Sequence, residues 1–280
     1  MLDLPKAVLY GILEGVTEWL PVSSTGHLIL LERVLTLPMS KAATELFEVV
    51  IQLGAILAVV VLFWKKLTPF GGFWAKKTAA ERQNVYHLWA KVLIAALPSA
   101  VVGLLLDDLI SAYLFRPLVV AGALIFYGVA FVLVEKRRKS HPFGGFLCES
   151  TADISYHTVF LIGCFQVLAL VPGTSRSGAT ILGALLLGLA RPVAAEFSFF
   201  LGIPTMLGAG ALKVAKFAAG GNTLTGREVP VLVVGTLTAF LTSLVVIRFL
   251  MDLVRRHSFV GFGIYRILLG AAVLAMTIFL

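Results

Sequence analysis

Charge is scarce along this sequence: only 14% of its 280 residues are Asp, Glu, Lys or Arg, against about 25% in a typical soluble domain. With 59% hydrophobic residues and a mean hydropathy of +0.97, that scarcity excludes an ordinary soluble domain and points to a polytopic membrane protein. Cysteine is scarcer still. Cys148 and Cys164 lie in an expected loop and a hydrophobic segment without metal-ligand spacing, so neither a disulfide framework nor a zinc site is expected. The N-terminus lacks a basic region followed by an apolar core and a small-residue cleavage site, so the first hydrophobic segments are expected to direct insertion themselves.

What is abundant is long apolar runs. Six are long enough for the roughly 20 residues that cross about 30 Å of hydrocarbon: 45–64, 86–106, 116–135, 193–217, 229–250 and 260–280. Two further stretches, 4–35 and 154–190, are hydrophobic but interrupted by clusters of Gly, Pro, Ser and Thr. Irregular backbone at membrane depth is tolerated only where protein or a water-filled cavity covers it. These two are expected to be re-entrant helical hairpins. The fold class is therefore all-α, about six transmembrane helices plus two re-entrant hairpins, in one integral-membrane domain over 1–280.

The formal net charge is +8. Its basic residues concentrate in the segment 65–83 (Lys65, Lys66, Lys76, Lys77, Arg82), in "KRRK" at the start of 136–150, and in the turn with Arg255 and Arg256. Lys and Arg in short loops mark the cytoplasmic side. The connections around "DDLISAY" at 107–113 and "AAGGNTLTGREV" at 218–229 then lie outside. Basic segments facing anionic lipid account for the charge, and no nucleic-acid partner is implied. Lys91 and Asp153 are expected on a solvated face near the cytoplasmic boundary.

Threading the chain through these constraints places the two halves in opposite topology. Residues 1–135 and 154–280 read as inverted repeats joined by a basic cytoplasmic loop. A sequence echo supports this: Gly11, Glu14, Ser23, Gly26 and Leu30 stand 152 residues before Gly163, Gln166, Ser175, Gly178 and Leu182. Glu45 stands 151 residues before Glu196. Broken helices of inverted repeats meet near the midplane in transporters, and the breaks are where a site is expected.

In the first break, "GILEGVTEWLPVSSTGHLIL", Glu14 and Glu18 share a helix face. Two carboxylates in a low-dielectric setting need a positive partner, and a divalent cation, Mg²⁺ or Ca²⁺, is the first candidate. Ser23, Ser24 and Thr25 add hydroxyls, and His27 adds a group that exchanges protons near neutral pH. In the second break, "LVPGTSRSGATIL", Arg176 supplies five donors that match phosphate oxygens. Ser175, Ser177 and Thr180 surround it, and a half-helix starting near Ser177 adds its positive end. Glu45 and Glu48 are candidates for the rim of the site.

"EGVTEWLPVSSTGH" together with "PGTSRSGATI" closely resembles the undecaprenyl-diphosphate phosphatase family, integral-membrane enzymes linked to bacitracin resistance. "FEVVIQLGAILAVVVLFW" at 47–64 and "EFSFFLGIPTMLGAGAL" at 196–212 extend the resemblance over most of the chain. It implies hydrolysis of the terminal phosphate of undecaprenyl diphosphate in membrane lipid, a divalent-metal requirement, and a site open to the outer face of the bacterial inner membrane. By position it implies a metal pair at Glu14 and Glu18, a motif serine and histidine at Ser24 and His27, and phosphate binding by Ser175, Arg176 and Thr180. Which of Ser24, His27 and water is nucleophile and which is base stays open, as does a homodimer. The alternative is a transporter or flippase, which needs the anion cradle but not a Ser–His pair beside two carboxylates.

Overall fold

The computed structural model describes residues 3–69, 77–140 and 148–279. Lys76 and the stretch 141–147, part of the expected cytoplasmic segments, lie outside them. Ten principal helices follow in order: α1 Asp3–Thr17, α2 Ser24–Val34, α3 Lys41–Leu62, α4 Ala79–Tyr113, α5 Pro117–Ser140, α6 Tyr156–Val167, α7 Arg176–Leu186, α8 Arg191–Ala219, α9 Glu228–Arg256 and α10 Val260–Phe279. A one-turn helix, Trp64–Leu67, follows α3, and a 3₁₀ turn, Leu168–Leu170, follows α6. The described residues contain no strand, only an isolated bridge between Cys148 and Leu189.

Among the described residues six helices are long and apolar enough to cross a membrane, and they match the six expected spans: α3, α4, α5, α8, α9 and α10. Their outward faces carry bare Leu, Val and Phe, among them Leu104, Leu105, Leu241, Val245 and Phe249, as suits a hydrocarbon solvent. The other four helices have only 11 to 15 residues. At 1.5 Å per residue each falls short of the roughly 30 Å hydrocarbon thickness. They form two pairs, α1–α2 and α6–α7, each interrupted where the sequence has proline and small polar residues.

Two boundaries and one burial differ from the sequence expectation. "DDLISAY", expected as an outer connection, continues α4 to Tyr113, with Pro98 accommodated inside the same helix. "KRRK" is helical too, forming the end of α5, where Arg138 donates to the Leu185 and Leu189 carbonyls at the end of the α6–α7 pair. Lys91, expected on a solvated face, is instead buried; its ammonium donates to Ala152 O at 2.6 Å. A lysine that replaces water by carbonyl oxygens satisfies its donors without reaching solvent.

Local signals explain the starts of the helices. Ser40 caps α3 and Ser155 caps α6, each accepting from the amide three residues on. Thr78 and Glu81 form a reciprocal capping box at α4. The helix pairs pack through small residues. Gly11 of α1 lies directly against Gly235 O of α9, and Gly163 of α6 against Ala95 O of α4; at either place a Cβ has no room. In lipid, such small residues permit the close backbone approach that association depends on. At the centre α3 crosses α8, and their ends are joined twice: Glu45 of α3 to Lys213 of α8 at 3.6 Å, and Glu196 of α8 to Lys66, just beyond α3, at 2.7 Å.

Candidate active site

The two interrupted pairs break at equivalent points. Ser23 and Ser175, with φ of 73° and 71°, are the only non-glycine residues with positive φ among those described. This left-handed conformation costs of order 1 kcal/mol or more for a residue with a Cβ. Each serine caps the next helix: Ser23 Oγ accepts from Gly26 N at 3.4 Å and Ser175 Oγ from Gly178 N at 3.2 Å. Pro21 and Pro172 withhold amide donors just upstream. Gly173, with φ of 91°, is in a region that suits glycine, and a Cβ there would stand 2.5 Å from Val120 O.

Arg266 of α10 joins the two breaks. Fully buried, it donates to Pro21 O at 3.1 Å in the first break and to Gly173 O and Thr174 O, both at 2.9 Å, in the second. Its guanidinium also lies 5.7 Å from the Tyr127 ring centre. Ser177 adds a second bridge, donating to Glu18 O at 3.0 Å and Leu20 O at 3.2 Å. Carbonyls freed by the helix interruptions thus find donors inside the protein, as membrane-depth backbone requires.

Held in this way, the side chains of the two breaks converge. Glu18 Oε1 accepts from Arg176 Nη2 at 3.1 Å, and Glu18 Oε2 accepts from Ser24 Oγ at 3.2 Å. The pair is nearly dry, with 10% and 12% of the side chains exposed. Arg176 Nη1 donates to Ser198 O of α8 at 2.6 Å, and its guanidinium stands 5.7 Å from the Trp19 ring. Thr180, expected to bind phosphate, is within 2.6 Å of Ser198 Oγ and donates to Arg176 O, so it fixes α7 against α8 behind the arginine. Ser175 Oγ lies 3.1 Å from Ser177 Oγ. Thr25 is half-buried in the first turn of α2 and takes no side-chain bond among the described residues.

His27 is held at both nitrogens. Nδ1 is 2.7 Å from Ser23 O, a carbonyl that can only accept, so Nδ1 carries the proton. Nε2 is then left as the acceptor for the Tyr265 hydroxyl at 2.6 Å, with the two rings stacked. Ser24 therefore has Glu18 as its basic neighbour, while His27 is coupled to a phenol of α10.

Glu14, one turn before Glu18, is fully buried, and neither of its carboxylate oxygens has a hydrogen-bond partner. A buried carboxylate with both oxygens unpartnered is where a cation fits. The described residues hold no cluster of three or more His, Cys, Asp or Glu able to ligate a metal. Two carboxylates are the protein share expected where Mg²⁺ takes its remaining oxygens from water and substrate phosphates. Cys148 and Cys164 are both free.

The sequence reading missed Ser198, Gly202, Tyr265 and Arg266. Arg266 had a signal: it is the only charged residue in the apolar run 260–280, and an intramembrane charge marks a site by default. Ser198 and Gly202, which packs on the Arg176 guanidinium, stand in the 196–212 stretch that carries the resemblance, but nothing in that stretch singles them out, and Tyr265 lies far along the chain from both breaks.

The family profile described as bacitracin resistance protein BacA matches residues 7–272. An undecaprenyl-diphosphatase of Enterococcus faecalis is 50% identical over 278 residues, covering 99% of this chain and 98% of that protein. One of Streptococcus thermophilus is 54% identical over 275 residues, 98% of this chain and 93% of the relative. One of Streptococcus pyogenes serotype M3 is 50% identical across 280 residues. On a match that runs through both breaks and nearly every span, this chain belongs to the bacitracin resistance protein BacA family.

Proposed function

We propose that the chain is an integral-membrane phosphatase that hydrolyses undecaprenyl diphosphate to undecaprenyl phosphate and inorganic phosphate. The observation that carries this reading is the meeting of the two breaks, where buried Glu18 holds Arg176 on one oxygen and Ser24 on the other. The relatives' names state the same activity for proteins that keep half of this sequence.

The resident pairing suggests how the groups work. Arg176 offers a planar fork to a terminal phosphate once the substrate displaces its carboxylate partner, and neutralises charge that spreads over the phosphoryl oxygens in the transition state. Glu18 accepts the proton of the Ser24 hydroxyl, or of a water in its place, and the oxygen so deprotonated attacks the terminal phosphorus. The anhydride P–O bond breaks, and undecaprenyl phosphate leaves. If serine attacks, water then cleaves the phosphoserine and regenerates it. His27, whose Nε2 meets the Tyr265 hydroxyl, would hold or relay a proton for the leaving phosphate. Glu14 and Glu18 would hold a divalent cation, Mg²⁺ or Ca²⁺, which supplies further charge neutralisation for the diphosphate.

The same reading takes residues 1–135 and 154–280 as inverted repeats, with the α1–α2 and α6–α7 pairs as re-entrant hairpins. The reciprocal Glu45–Lys213 and Glu196–Lys66 pairs, the equivalent positions of Ser23 and Ser175, and the matched packing of Gly11 and Gly163 support it. The basic residues Lys65, Lys66, Arg255 and Arg256 favour a cytoplasmic location for their ends of the spans, and it is the family resemblance that supports a site open to the outside of the bacterial inner membrane. A transporter is not favoured, since it has no use for a serine hydroxyl held by a buried carboxylate.

The test is phosphate release from undecaprenyl diphosphate by detergent-purified protein, with Mg²⁺, with Ca²⁺ and with chelator, comparing wild type with Arg176→Ala and Glu18→Ala. Metal-dependent release abolished by both substitutions supports the phosphatase. No release from well-folded wild type refutes it.

A further inference from the structure

The active site has an apolar neighbour. A cleft of about 550 Å³ begins at His27 and Tyr265 and extends past Leu20 and Phe262 to Leu253 and Gly261, near the turn between α9 and α10. Val16 and Val22 also line it, and although Thr17, His257 and Ser258 add polar groups the wall is mostly hydrocarbon. Tyr265 is 46% exposed, so the cleft is open to its surroundings at this residue. On the opposite flank of the Glu18–Arg176 pair, α8 closes the site with Ser198 and Gly202 packed on the guanidinium. His27 is thus both a member of the polar network and part of the cleft wall.

A diphosphate bound at Arg176 carries a hydrocarbon chain that must leave the polar centre at once. We propose that this cleft receives the isoprene units next to the diphosphate and so sets the preference for a polyprenyl over a short-chain diphosphate. The inference rests on the phosphatase reading and adds to it the path of the chain. Because lipid solvates a polyprenyl tail as well as protein does, the cleft selects by fit: it seats the first isoprene units in one direction, so a chain that reaches into it binds more tightly than one too short to do so.

Gly261 supplies the test. It lies in the first turn of α10, four residues before Tyr265, about 6 Å of helix rise. Nothing stands within 4 Å of a Cβ built on it, so a side chain can start there without a backbone clash, and Gly261→Phe adds a ring at a residue that lines the cleft. Phosphate release is measured for undecaprenyl diphosphate and for a C5 isoprenyl diphosphate whose chain is too short to reach residue 261. The expected result is a KM for the C55 substrate raised about ten-fold or more, with kcat/KM for the C5 substrate unchanged. An equal change for both substrates, or none for either, overturns the proposal.

A second measurement is independent of rates. A photoreactive residue at Ser258, which lines the cleft, should cross-link bound undecaprenyl diphosphate and lose the adduct to excess unlabelled substrate. One at Leu237, exposed on α9 but away from the cleft, should not. Equal adducts at both positions, or none at Ser258, overturn the proposal. Failure of the phosphatase reading would look different, as wild type would then release phosphate from neither substrate.

Discussion

Gly202→Ala should disable the site from a residue that contacts no substrate. Gly202 lies in the middle of α8 beneath the Arg176 guanidinium, and a Cβ built there would stand 2.8 Å from Cζ and Nη1 and 3.0 Å from Nη2. Comfortable carbon contact begins near about 3.5 Å, so the guanidinium must lift by roughly 0.7 Å. It is pinned on both sides, by Ser198 O at 2.6 Å and Glu18 Oε1 at 3.1 Å, so the lift costs at least part of a charged hydrogen bond worth about 1.5–3 kcal/mol. Positioning errors near 1 Å cost on the order of 10²-fold in rate. The expected fall in kcat/KM is therefore about 10- to 100-fold, roughly 1.4–2.7 kcal/mol of transition-state stabilisation. The assay is initial-rate phosphate release, with melting in detergent measured alongside. Gly208→Ala is the control: it lies on the same helix, and its Cβ meets nothing within 4 Å, so it should leave the rate unchanged. Combining Gly202→Ala with Arg176→Ala should lower activity no further than Arg176→Ala alone, because both act on one group. If Gly202→Ala keeps more than half of the wild-type kcat/KM, or if both glycine variants fall together, the guanidinium's seat on α8 is not what the reaction needs.

Tyr265→Phe keeps the stacking on His27 but removes the hydroxyl that meets Nε2 at 2.6 Å; kcat should fall about ten-fold with KM little changed, as read from steady-state kinetics. Arg266→Met leaves the Pro21, Gly173 and Thr174 carbonyls without their donor. It should destabilise by about 1–3 kcal/mol for each carbonyl left unpaired, seen as a lower unfolding midpoint in detergent, and Arg266→Lys should recover less than half of that because one ammonium does not span both breaks. Glu14→Gln removes the unpartnered buried carboxylate, so the Mg²⁺ concentration giving half-maximal thermal stabilisation should rise about ten-fold or more; an unchanged midpoint places the cation elsewhere.

The six spans were legible because an apolar run of about 20 residues has one physical use in a membrane. The breaks were legible for the complementary reason: Pro21 and Pro172 cannot donate, and the serines and glycines around them favour conformations other than helix. The continuation of α4 through "DDLISAY" was not. Two adjacent aspartates suggest a loop, yet Leu114 N still bonds Ile110 O at 2.9 Å, since helical backbone needs no apolar side chains once past the hydrocarbon. Glu14, Glu18, Ser24, His27 and Arg176 could be named from local pattern. That Glu18 pairs Arg176 across 158 positions, and that Tyr265 meets His27 across 238, depends on how helices cross, which local spacing does not encode.

The proposed repeat also explains why the two breaks agree in backbone and differ in chemistry. Ser23 and Ser175 keep the same strained φ and the same capping bond. Under the 152-residue offset, however, Glu14 corresponds to Gln166, Glu18 to Leu170, Ser24 to Arg176 and His27 to Ala179. Were both halves to keep the first pattern, four carboxylates would meet in a nearly dry space, a repulsion that forces protonation. Were both to keep the second, two guanidinium groups would face each other with no internal counter-charge. One acidic break and one basic break is the arrangement that lets each half neutralise the other before substrate arrives. Gln166 retains the shape of its glutamate counterpart without the charge, and its amide donates to Ser99 Oγ at 2.6 Å. Restoring the carboxylate by Gln166→Glu therefore tests the argument: it should place an uncompensated charge between α4 and α6, lower the unfolding midpoint at neutral pH and recover it in acid, where the carboxyl is protonated. A variant as stable as wild type at pH 7 would show that charge balance is not what separates the halves.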